Sequence, residues 1–128
     1  MKRTMARAAA IGMAIVGLLL AANPAEAAGK NVPWTYTTDD NPGGKAKFDW
    51  DGDRITVCDE QSDGYGVRAR VMNSQGTTLM MLQDPNSTDG CYTGSHNITD
   101  GIGVRVEVCL YKGGIYTYFC RISAWGVS

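Results

Sequence analysis

Histidine is nearly missing from this chain: His96 is the sole one among 128 residues. Imidazole-based hydrolysis therefore has a single candidate base. Zinc has no second nitrogen ligand, and the four cysteines form no Cys-x-x-Cys pair of the kind that holds structural zinc. A glycine-framed serine elbow is also lacking. Ser95, His96 and Asp100 superficially supply nucleophile, base and orienting acid, yet close neighbours in one loop do not reach triad geometry. No catalytic residue, metal site or cofactor is expected. Positive charge is scarce too, with 12 lysines and arginines against 13 aspartates and glutamates. Three of the basic residues, Lys2, Arg3 and Arg7, crowd the first positions, so the remainder is more acidic still. Nucleic acid, whose phosphates need a basic face, is a poor partner for such a chain.

Long apolar runs are absent after Ala22. The one that exists, Ala8 to Ala22, follows the basic start and is shorter than the roughly 20 residues that span hydrocarbon. Asn23-Pro24 then breaks any helix, and Ala25-Glu26-Ala27 places small residues where a signal peptidase reads them. The expectation is a signal peptide over 1–27, cleaved between Ala27 and Ala28. A single secreted domain follows over 28–128, extracellular and with no membrane contact after cleavage. Its first residues, Ala28 to Asn31, are expected to be loose.

All four cysteines lie in that domain, and an even count in a small exported chain reads as two disulfides. A period of 3.6 is missing from the apolar pattern, and a period of two recurs. In Val104-Arg105-Val106-Glu107-Val108-Cys109-Leu110 the valines and leucine point one way, and Arg105, Glu107 and Cys109 the other. Val67, Ala69 and Val71 alternate likewise with Arg68, Arg70 and Met72, and Ile55 and Val57 face inward from Arg54-Ile55-Thr56-Val57-Cys58. Turn residues that tolerate positive φ separate the runs: Asp51-Gly52-Asp53, Asn73-Ser74-Gln75-Gly76, Asp100-Gly101 and Lys112-Gly113-Gly114. The pattern predicts seven short strands near 33–38, 45–50, 54–59, 66–73, 77–83, 103–111 and 115–123. An eighth is possible around Tyr92, inside a long loop from Asp84 to Ile102. Such spacing argues for an all-β fold, a small antiparallel β-sandwich, Ig-like or barrel-like, stapled by the two disulfides. Reversal at Gly113-Gly114 brings Cys120 back opposite Cys109, which predicts Cys109–Cys120 and, by elimination, Cys58–Cys91.

The acidic stretch from Asp49 to Asp63 invites a calcium reading. Its spacing is not that of an EF-hand loop: Gly52 comes too early and no glutamate stands at the twelfth position. Turn capping by Asp51 and Asp53 is the expected role. The aromatics are more suggestive. Tyr116 and Tyr118 share parity with Cys120, which predicts two tyrosines beside a disulfide on a solvent-facing strand, where rings can stack on sugars or anchor a partner.

Ile55-Thr56-Val57-Cys58-Asp59, Asp63-Gly64-Tyr65-Gly66-Val67, Asp100-Gly101 and Val108-Cys109-Leu110 together resemble a group of small secreted actinobacterial β-proteins of the Streptomyces type. The resemblance covers roughly residues 46 to 120. Its motifs are turns and disulfides, so it implies location and fold and transfers no activity. The function expected is therefore non-catalytic binding of an extracellular polysaccharide or cell-envelope component through Tyr116 and Tyr118. The alternative is inhibition of an extracellular hydrolase by the loop that Cys91 anchors.

Overall fold

Valine, isoleucine and threonine suit a pleated, half-buried surface, and their alternation with polar residues decides which face is covered. In a computed structural model of the chain, which describes residues 28–88 and 90–128, they build nine strands and no helix. These are β1 (Val32–Tyr36), β2 (Gly44–Asp49), β3 (Arg54–Asp59), β4 (Gly66–Met72), β5 (Thr78–Asp84), β6 (Cys91–Ser95), β7 (Gly103–Tyr111), β8 (Thr117–Ile122) and β9 (Gly126–Val127). Two antiparallel sheets pack face to face. One has the order β1-β2-β3-β6; the other runs β5-β4-β7-β8, with β9 on the remaining part of β7. The sandwich expected from the alternation is thus the fold. The expected signal peptide lies outside the described residues, and among those residues no helix is long and apolar enough to cross a membrane.

All seven expected strands are present, and β6 is the eighth around Tyr92. The ninth has only two residues and no alternation to read. Inside, Val67, Ala69 and Val71 stand directly across from Leu110, Val108 and Val106. Val32, Ala46, Phe48, Ile55 and Val57 meet them from the other sheet, each at 3% exposure or less. Each large apolar side chain so buried contributes about 1.5–3 kcal/mol. Asp84 is the most deeply buried of the charged residues. Fully buried at the end of β5, it accepts the Asp59 amide at 2.8 Å and the Asn86 amide at 3.1 Å, tying the ends of β3 and β5 together.

One edge of the sandwich is sewn shut by backbone. Lys30 and Val127 exchange hydrogen bonds of 2.8 and 2.9 Å, and the Thr38 amide donates to the Phe119 carbonyl at 2.9 Å. The Asn31 side chain also accepts the Trp50 amide at 2.9 Å. Of the segment expected to be loose, Lys30 and Asn31 are held. Lys30 lies against β9, whose free edge offers partners to backbone groups that would otherwise face water.

Both expected disulfides form. Cys58–Cys91 joins β3 to β6 at a register pair, and Cys109–Cys120 joins β7 to β8, with Cα separations of 4.3 and 4.2 Å. Each lies within one sheet, on the face opposite the valines; Cys58 and Cys109 are buried there, while Cys91 and Cys120 are exposed. Two such bridges fit an oxidising environment of the kind found outside the cell. They close loops of unequal length, 33 and 11 residues apart in sequence. In the chain-entropy treatment these amount to about 4 and about 3 kcal/mol. Urea unfolding of Cys58→Ala/Cys91→Ala should accordingly show a larger loss of stability than Cys109→Ala/Cys120→Ala; equal losses, or the reverse order, would contradict that treatment here.

Candidate functional site

The β7–β8 hairpin carries both tyrosines singled out by sequence, and its geometry begins in the turn. Gly113 and Gly114 adopt φ of 51° and 110°, the left-handed region where a side chain is strained. The returning strand then breaks register. Tyr118 pairs with Leu110 and Arg121 with Val108, so Phe119 and Cys120 together oppose the single residue Cys109. Phe119 occupies the bulge with φ 51°, a position normally filled by glycine, at a cost of about 1–2 kcal/mol for a residue with a Cβ. Two covalent or hydrogen-bonded neighbours hold it there: Cys120 in its disulfide and Thr38 on its carbonyl.

The bulge changes which way the tyrosines face. Paired residues in a sheet share a face, so Tyr118 sits on the side of Leu110, while Cys120 remains with Cys109 on the outside. The shared parity of Tyr118 and Cys120 expected from simple alternation is lost at Phe119. Tyr118 stays 44% exposed at the margin of the sandwich and meets Tyr65 edge to face, with centroids 6.0 Å apart. Lys112 lies 5.1 Å over the Tyr65 ring. Tyr116, in the turn, is 68% exposed and Ile115 beside it 82%. Phe119 and Ile122 add two further exposed apolar side chains, and every residue of β8 is exposed. Simple alternation cannot reveal this bulge, because the sequence places no glycine at its centre.

The aspartates of the acidic stretch from Asp49 to Asp63 are divided among separate tasks. Asp49 pairs with Lys47 at 3.1 Å. Asp53, with φ 46°, is buried; its carboxylate accepts the Ile98 amide at 2.8 Å and its carbonyl accepts the His96 amide at 3.3 Å. Asp51 remains exposed in the turn. Asp51 and Asp53, together with Trp50, Asn97 and Asp100, border a cleft of about 520 Å³. Among the described residues no group of three or more histidine, cysteine, aspartate or glutamate side chains is placed to hold a metal ion. Ser95 and His96 border a different cleft from Asp100, which separates the three residues of the superficial triad.

Beneath the hairpin lies a small buried acidic centre. Asp59, at the end of β3, accepts the Gln61 amide at 3.1 Å, and its own amide is bound by Asp84. Burial is the main cause that raises the Asp59 carboxyl above the ordinary carboxylate value; the Gln61 amide opposes this, and the Asp84 charge adds to it. Burial likewise raises the Tyr111 phenol. Its ring covers Gly66 so closely that a Cβ there would lie 2.6 Å from ring carbons.

No family model matches the chain, and no curated protein does. Among solved structures, the crystal structure of an endonuclease/exonuclease/phosphatase from Beutenbergia cavernae DSM 12333 is similar over 77% of this chain and 27% of that one, at 26% identity and a TM-score of 0.56. A DUF3244 family protein with an immunoglobulin-like β-sandwich fold from Bacteroides vulgatus ATCC 8482 is similar over 79% of this chain and 99% of that one, at 15% identity and a TM-score of 0.48. This chain thus spans about a quarter of the Beutenbergia chain, whose activity belongs to a much longer polypeptide.

The raised Asp59 carboxyl has a consequence for stability. The folded state holds its proton to a higher pH than the unfolded chain does, so stability falls as pH rises from the ordinary carboxylate value through the raised one, then levels. Thermal melting of Asp59→Asn between about pH 3 and pH 7 should show the variant gaining on the wild type as pH rises. A constant difference, or one that shrinks, would show that burial does not govern this carboxyl.

Proposed function

We propose that the protein is a secreted, non-catalytic binding protein that recognises an extracellular polysaccharide or cell-envelope component through the β7–β8 hairpin. The observation that carries this reading is the concentration of large exposed apolar side chains there: Ile115, Tyr116, Tyr118, Phe119 and Ile122 within eight residues. Scattered apolar residues on a surface need no explanation, but so many large ones within a single hairpin favour a contact site. The interior is complete without them, since its buried cluster draws no side chain from β8. The strained backbone at Phe119 fits the same reading, because such outliers gather at sites of recognition and persist only where neighbours enforce them. Tyrosine rings present flat, rigid faces at a low cost in side-chain entropy, which suits stacking on sugars. The disulfides support an extracellular setting.

The alternative, an inhibitor presenting the loop at 85–90, finds a firm base in Asp84 and the Cys58–Cys91 bridge. That loop, however, has Pro85 as its sole apolar residue besides glycine and offers no aromatic or arginine anchor of the sort that dominates tight interfaces.

Pull-down on chitin, cellulose and peptidoglycan tests the binding reading. The disulfide-bonded protein should be retained on at least one of them. Tyr116→Ala/Tyr118→Ala should lose about tenfold or more in affinity, as expected for removing two stacking rings worth roughly 1 kcal/mol each. Absence of retention on all three, or full retention by the variant, would defeat the proposal.

A further inference from the structure

The outer face of the second sheet gathers positive charge in an otherwise acidic chain. Register puts Arg68 beside Cys109, Arg70 beside Glu107 and Arg105 beside Met72, so three arginines share this face with one acid. Two of them are occupied by protein partners. Arg70 pairs with Glu107 at 2.7 Å and donates to the Thr78 hydroxyl at 3.1 Å. Arg68 lies 5.1 Å over the Tyr111 ring, donates to the Gly114 carbonyl at 3.1 Å and, in the amide orientation that satisfies both residues, to Gln83 at 2.7 and 2.8 Å.

Arg105 differs. Its guanidinium carbon lies 4.2 Å over the Trp125 ring, the shortest cation–ring approach among the described residues. Its Nε is buried with no acceptor, and among the described residues no carboxylate pairs with its fork. Elsewhere, the cations over Trp34 have acids of their own: Lys45 pairs with Glu60 and Lys47 with Asp49. Arg105 is therefore a fixed, partly desolvated cation whose charge the fold leaves uncompensated. Stacking on indole removes much of the entropy that a long side chain would lose on binding, and leaves the terminal Nη groups as two-pronged donors. Trp125 is itself seated over Gly103, where a Cβ would lie 3.4 Å from the ring.

The geometry points to an anion-binding subsite at Arg105–Trp125 that takes the carboxylate or sulfate groups of an acidic extracellular polysaccharide. This goes beyond the hairpin reading and uses a different surface. A polysaccharide fits because the outer side chains of β7 recur every second residue, about 7 Å apart, and form a ladder with ring-stacked Arg105 toward one end and, on neighbouring β4, ring-stacked Arg68 toward the other. An extended charged polymer can lie along such a ladder. Its carboxylates or sulfates would meet the Arg105 fork in the charge-assisted geometry that arginine favours.

Binding of the intact, disulfide-bonded chain to polygalacturonate and to dextran sulfate, with unsubstituted dextran as control, tests this. Retention on one or both anionic polymers and none on dextran is expected, and the arm retained tells carboxylate from sulfate. Arg105→Gln should lose about tenfold or more in affinity, and Arg105→Lys, which keeps the charge and gives up the fork, should fall in between. Trp125→Leu should weaken binding in the same direction with the arginine still present. Melting temperatures of all variants establish that each is folded. Arg105→Gln should keep whatever retention the wild type shows on uncharged chitin or cellulose, so loss of the hairpin function and loss of this one are told apart. Equal affinity of wild type and Arg105→Gln, equal binding of dextran, or binding of neither anionic polymer would overturn the inference.

Discussion

The pairing of β4 with β7 is the constraint on which the molecule turns. Seven residue pairs run from Gly66–Tyr111 to Met72–Arg105 without a break, at the centre of the second sheet. Because side chains alternate, a slip of one residue would send Arg68, Arg70 and Glu107 inward and the valines out. The loss would combine several buried apolar side chains with several buried charges, far more than the 5–15 kcal/mol that holds a small domain together. The same register therefore fixes both what fills the interior and what chemistry faces water. Each sheet then has its own covalent clamp on the face away from the valines, which resists sliding at β3–β6 and at β7–β8.

Departures from regular geometry fall at one turn and one bulge. Among the described residues the two with a side chain and positive φ are Asp53 and Phe119. Asp53 turns the chain after β2 and uses its carboxylate to satisfy the buried amide of Ile98, joining a tight turn to the connection that precedes β7. Phe119 inserts an extra residue into β8 and so directs Tyr118 and Cys120 to opposite faces. In both cases local strain is balanced by hydrogen bonds or a disulfide formed with distant parts of the chain.

Most of the frame was legible in the sequence because it obeys a single rule. Alternation located the strands from 54 to 111 within a residue or so, and the polar parity of Cys109 led to its partner. What stayed hidden depends on contacts between distant residues. Nothing in Lys30 or Val127 announces that they pair, and the two-residue β9 is too short for a pattern. The bulge at Phe119 breaks the parity on which the placement of Tyr118 depended, while the exposure of Tyr116 follows simply from its place in a turn. Burial of Asp84 and Asp53 was unreadable for a similar reason: a carboxylate in a turn looks alike in sequence whether it faces water or a backbone amide. The stacking of Arg105 on Trp125 joins residues of the second sheet to the chain after β8, which no local pattern reports.

The hairpin displays tyrosines and aliphatic side chains, the second sheet displays arginines, and the acids collect in turns and at the buried Asp59–Asp84 centre. A rigid central pair of strands is what makes both surfaces persistent. Native-state amide hydrogen exchange tests that most directly. The account predicts that amides of Val67 to Val71 and Val104 to Leu110 exchange slowest, through global unfolding alone, with those of the 85–90 loop far faster. Exchange of the β4 and β7 amides at rates like those of the loop would contradict it.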